Sequence, residues 1–134
     1  MMAAYATALG RNAEETYRQI DASGRTAEAD GPALVQLLYE EAIRTLRTAA
    51  WATENRNYAL KSDKLTRATA ILFALEAGLD FEAGGDVAVT LARLYAGARN
   101  TIVAASIGDD AAPFRDVAST LAEIAEAWRT VRAA

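Results

Sequence analysis

The sequence predicts an all-α protein, an up-down antiparallel four-helix bundle with an additional N-terminal helical arm. Three observations carry that prediction. Hydrophobic residues make up 52% of the chain while mean hydropathy is only +0.01, so the apolar excess is largely alanine, the strongest helix former. Helix breakers are scarce, with 8 glycines and 2 prolines. In four stretches the large apolar residues recur at spacings of three and four, and about two to six residues separate these stretches, which forces sequential helices to pack antiparallel. A length of 134 residues suits one domain with a sizeable core. Residues 1–134 are therefore read as one domain, with 1–21 as a mobile arm and 32–131 as the bundle.

Residues 3–20 have moderate helical character, and Tyr5, Leu9, Tyr17 and Ile20 are their only large apolar side chains. The polar, small-residue segment from Asp21 to Gly31 reads as a loose hinge. Pro32 opens the first bundle helix, a position that suits a residue without an N–H, and this helix is expected to run to about Glu54. Leu34, Leu38, Ala42, Leu46 and Ala49 form one stripe on it; Val35, Tyr39, Ile43 and Ala50 form a second. Such a wide face contacts neighbours on two sides or leaves part of itself for a ligand. The second helix is expected over about Tyr58 to Leu79, with a core stripe of Leu65, Ala68, Leu72, Leu75 and Leu79. Phe73 lies about 100° around from Leu72, off that stripe.

The segment Leu79-Asp80-Phe81-Glu82-Ala83-Gly84-Gly85-Asp86 reads as a helical-hairpin corner, with the double glycine as the stop and Asp86 as the N-cap of the third helix. That helix is expected to run to about Ile107, with Val87, Leu91, Leu94, Ala98, Thr101, Ile102 and Ala105 facing the core. Gly108 terminates it, and Asp109-Asp110 with Pro113 start the last helix. Its stripe is Phe114, Val117, Leu121, Ile124, Trp128 and Val131.

Composition removes several function classes. There is neither cysteine nor histidine, so Ser–His and Cys–His nucleophile systems and Glu-x-x-His di-iron sites are impossible. Glu40 and Glu41 are adjacent in a helix and point about 100° apart, so they cannot share a proton or a metal. Glu40 and Arg44, at i and i+4, read as an ordinary surface pair. Gly84-Gly85 is no phosphate loop, since no strand precedes it and no Gly-Lys-Ser/Thr follows. A net charge of −4 disfavours nucleic-acid binding. No apolar run approaches the roughly 20 residues of a membrane span, and Met1-Met2-Ala3-Ala4-Tyr5 is no signal peptide, so the chain reads as cytoplasmic. Between Arg44 and Arg67 six basic residues face two acidic ones. This is either a solvated face or a surface that attracts an acidic partner segment.

Four blocks in order resemble one family, the flagellar export chaperones called FliS. Pro32-Ala33-Leu34-Val35-Gln36-Leu37-Leu38-Tyr39-Glu40-Glu41-Ala42-Ile43 is similar to the family's first block, and Arg67 to Asp80 to its second. The Gly84-Gly85 corner with Leu91-Ala92-Arg93-Leu94-Tyr95 follows, and the ending with Leu121, Ile124 and Trp128 completes the series. The resemblance implies a cytoplasmic chaperone, not an enzyme and without a cofactor. Such a chaperone binds the C-terminal amphipathic segment of flagellin, prevents its premature polymerisation and delivers it to the export apparatus. It further implies the export gate and a co-chaperone as partners, no nucleic acid, no membrane insertion, and a monomer or weak homodimer. The expected partner-binding residues are Tyr17, Leu34, Leu38, Tyr39, Leu72, Leu75, Leu91, Leu94 and Tyr95, although each apolar one taken singly reads as core. Tyr5 is the alternative counterpart of the family's N-terminal tyrosine. Trp51 and Phe73 are the further candidates for exposed aromatic contacts, and Trp128 reads as core. Two other functions fit a bundle of this kind: a structural or regulatory module that binds another amphipathic helix, and a small all-α enzyme such as a chorismate mutase. The mutase needs buried cations, whereas most basic residues here fall outside the apolar stripes.

Overall fold

The computed structural model describes residues 31–133, with side chains to residue 130. These residues form α1 (Gly31–Glu54), α2 (Tyr58–Ala77), α3 (Phe81–Ala105) and α4 (Ala112–Ala133). The arm expected over residues 1–21, with Tyr5 and Tyr17, lies outside the described residues, as does the Val131 side chain. Helix α1 packs along both α2 and α4, while α3 closes the ring between α2 and α4 with a smaller share of its surface. The two stripes of α1 explain this arrangement. Leu34, Leu38, Ala42, Leu46 and Ala49 are buried, and so are Val35, Tyr39 and Ala50. One helix thus supplies two seams, which is what its wide apolar face predicts.

Turns set the order of the elements. Arg56 adopts a left-handed conformation at φ 55°, and the Asn57 carboxamide caps α2 by accepting from the Leu60 N–H. On α2, Leu65, Ala68, Ile71, Leu72 and Leu75 turn inward. Phe73 stands 56% exposed, as its place off the stripe predicts.

At the next corner the structure corrects the sequence reading. The capping side chain is Asp80, whose carboxylate accepts from the Ala83 N–H at 3.0 Å, and α3 begins at Phe81. Gly85, at φ 52° and ψ −127°, breaks the helix after one turn, so Asp86 follows a kink rather than a loop. Both aspartates are competent caps. The bond from the Gly84 N–H to the Asp80 carbonyl, 2.8 Å, shows that helical hydrogen bonding starts before the double glycine.

The expected core stripe of α3 is only partly correct. Ala88, Leu91, Tyr95 and Ile102 are buried, whereas Val87, Leu94, Ala98 and Ala105 are half-buried and Thr101 is exposed. On α4, the Asp110 carboxylate caps Ala112, and Phe114, Val117, Leu121 and Trp128 are buried, with Ile124 half-buried.

Specific bonds tie the seams. The Trp128 indole N–H donates to the Pro32 carbonyl at one end of the α1–α4 pair. Arg115 grips Glu54 with two bonds, of 2.6 and 2.9 Å, at the other. The Lys61 ammonium is buried, donates to the Gly108 carbonyl at 2.7 Å, and lies 6.0 Å from the Phe114 ring centre, so α2 holds the α3–α4 connection. The expected Glu40–Arg44 pair is replaced by Glu41, which is shared between Arg44 on its own helix and Arg67 on α2. A carboxylate bridging two helices takes both cations, which the spacing within α1 alone could not show.

Candidate functional site: the grooves beside α3

The partial burial of α3 produces the site. Between α3 and α4 runs a groove of about 350 Å³ with Leu94, Ala98, Val117 and Leu121 as its floor and Thr101, Asp116 and Thr120 as its rim. On the other side of α3, against α2, a second groove of about 480 Å³ is lined by Tyr58, Leu65, Ile102 and Val103, with Thr66 and Thr69 among its polar edges. Both have apolar floors and hydroxyl-bearing edges. This combination suits an amphipathic helix that buries one face and keeps the other wet. A third groove, of about 680 Å³, runs between α1 and α4 and includes Trp51.

The expected binding residues separate into two groups. Leu34, Leu38, Tyr39, Leu72, Leu75, Leu91 and Tyr95 are buried in the core cluster. Leu94 alone among those described is half-buried and lines a groove. The structure nevertheless brings Tyr39 and Tyr95 together. Their rings lie 6.5 Å apart at 50°, and their hydroxyls share a hydrogen bond inside the core. The two tyrosines thus place a polar link between α1 and α3, directly after Leu94 in the chain.

Trp51 and Phe73 are exposed, as expected. Phe73 carries the Arg99 guanidinium 3.9 Å from its ring centre, and Arg99 also pairs with Glu76. Sequence reasoning missed Tyr58, Phe81, Val103 and Ile107, all of them exposed. Val103 lies on α3 outside its stripe and Ile107 in the turn that follows the helix, and an apolar residue off the stripe is the signal that could have found them.

At the end of the α1–α4 pair the hydrogen bond from Arg115 holds the Glu54 carboxyl below its usual value, and the same bond raises Arg115 in turn. Among the described residues no cluster of acidic groups could hold a metal ion. No helix there is long and apolar enough to cross a membrane. What these grooves offer chemically is sequestration of apolar surface.

A family model described as Flagellar protein FliS matches residues 12–134. The chain belongs to the FliS family. The match takes in all four helices of this FliS chain together with both grooves beside α3. Flagellar secretion chaperone FliS of Salmonella typhimurium is 30% identical over 118 residues, 87% of each chain. Its namesake in Vibrio cholerae is also 30% identical over 118 residues, 88% of this chain and 87% of the relative. Flagellar secretion chaperone FliSB of Pseudomonas aeruginosa is 28% identical over 116 residues, 87% and 92% of the two chains.

Proposed function

We propose that this FliS-family protein is a cytoplasmic flagellar export chaperone. It binds the C-terminal amphipathic segment of flagellin, keeps that segment from polymerising and delivers it to the export apparatus. Family membership and the names of the relatives support the class of function. The observation that carries the molecular reading is α3, a helix whose apolar surface is only partly covered, flanked on both sides by apolar-floored grooves.

A disordered client segment folds as it docks, and the ordering cost lowers affinity per unit area, so a chaperone for it needs an extended surface. Two grooves on either side of one helix supply that surface. In this reading Leu94 and Val103 touch the client directly. Leu34, Leu38, Tyr39, Leu72, Leu75, Leu91 and Tyr95 act from beneath, fixing the groove floors. Tyr17 is the further client contact in this reading. The export gate and a co-chaperone are the further partners, and the protein works without catalysis as a monomer or weak homodimer.

The test is calorimetric titration of the full chain with the last 40 or so residues of the same organism's flagellin. Leu94→Glu and Val103→Glu place charges in the two floors and are expected to weaken binding at least tenfold while circular dichroism stays unchanged. Affinity untouched by both substitutions would sink this placement, and the absence of any binding to the wild type would sink the function itself.

A further inference from the structure

The run of basic residues between Arg44 and Arg67 is not absorbed by the client reading, and the structure divides it. Lys61 is buried on the Gly108 carbonyl, and Arg67 is engaged with Glu41. Arg44 and Arg47 instead line the α1–α4 groove, where Arg129 of α4 joins them. Three guanidiniums thus face two carboxylates, Glu40 and Glu126, along one groove of a chain with net charge −4. The counter-charges are already stretched. Glu41 serves both Arg44 and Arg67, and Glu126 pairs with Arg129 at 3.3 Å. Arg47 is exposed.

The floor has a shape to match. Ala122 and Ala125, one turn apart on α4, are too small to fill the space beside Ile43. Trp51 stands at the end of the groove nearest the α1 C-terminus with 52% of its surface exposed. From Glu40 to Trp51 the α1 wall is about 16 Å long, three helical turns. Small residues in the floor admit a helix backbone closely, an exposed indole offers a large flat anchor, and an arginine rim selects carboxylates.

We propose that the α1–α4 groove is a second docking surface, separate from the client grooves beside α3, for an acidic amphipathic helix of about three turns contributed by another protein. Its apolar side lies on Ile43, the alanine floor and Trp51. Its Asp and Glu residues meet Arg44, Arg47 and Arg129.

The experiment uses the full chain and two synthetic fourteen-residue helical peptides that share the same apolar positions, one flanked by Glu and one by Lys. Binding is read by fluorescence anisotropy of labelled peptide, with and without saturating flagellin tail. The Glu peptide is expected to bind at least tenfold more tightly than the Lys peptide, to weaken as salt rises, and to lose at least tenfold in affinity in Arg47→Glu and in Trp51→Ala. The flagellin tail leaves its binding unchanged, and both variants keep wild-type affinity for that tail. Both substituted side chains are exposed, so the fold should persist, and melting curves check it. Equal binding of the two peptides, insensitivity to both substitutions, or competition by the flagellin tail would overturn the proposal. So would sedimentation showing a dimer that Arg47→Glu dissociates, since the occupant would then be a second copy of this chain. Failure of the flagellin tail to bind would count against the client reading and leave this surface standing on the peptide results.

Discussion

Tyr39 and Tyr95 lie 56 positions apart in the chain and share a hydrogen bond in a place where water cannot replace it. Truncating either hydroxyl removes this link between α1 and α3, and the second truncation then has no such link left to remove. Tyr39→Phe is therefore expected to lower stability by about 1 to 2 kcal/mol, and Tyr39→Phe with Tyr95→Phe by less than the sum of the single losses, as urea denaturation of the four proteins would show. Glu54 behaves differently because its pair with Arg115 lies at the surface, with about half of each side chain in solvent. Its lowered carboxyl contributes stability that is present above the ordinary carboxylate range and is lost as pH falls through the folded-state value. Glu54→Gln should consequently lower the melting temperature slightly at about pH 7, with the difference from wild type shrinking as pH falls through the folded-state value, and little difference in high salt. Both tyrosines stood among the partner-binding residues expected from the sequence. The sequence could not tell contact with a partner from contact with each other, because that depends on which faces of α1 and α3 the fold opposes. The shared carboxylate was hidden for the same reason, since Arg67 is 26 positions from Glu41.

Among the elements, α3 shows where local signals end. Its corner contains Asp80, Gly84, Gly85 and Asp86, and either aspartate can cap a helix. Only the path of the chain out of α2 decides for Asp80. Gly85 is needed there because its backbone is left-handed, whereas Gly97 sits within regular helix with open space where a Cβ would be. Gly85→Ala is expected to cost about 1 kcal/mol through backbone strain alone, and Gly97→Ala to add about 0.5 to 1 kcal/mol of stability. Thermal melts of the two variants check the opposite signs. Helices α1, α2 and α4 were legible because their apolar stripes are saturated on their inner faces. The stripe of α3 was over-read, since Val87, Leu94 and Ala98 rest against the core without being fully covered by it and Thr101 is exposed. That shortfall is the origin of the grooves, so the site was visible in the sequence as an apolar face but not as an opening.

In the whole molecule, unequal packing sets the order of stability. Helix α1 is braced on two sides, while α3 has a smaller interface with each neighbour. Local opening follows buried contact, so amides of α3 are expected to exchange hydrogen faster than those of α1. Saturating flagellin tail should slow α3 far more than α1, and equal slowing throughout would contradict the placement of the client. A ligand at a hundred times its Kd adds about 2.7 kcal/mol to global stability, which separates the local effect from the general one.

The chain contains two tryptophans, and their surroundings could hardly differ: Trp128 is 1% exposed and Trp51 more than half. Iodide in solution should therefore extinguish the red-shifted emission of one indole and spare the blue-shifted light of the other. A single emission spectrum then separates loss of the interior from shielding of the outer face, and the unlabelled protein reports on both.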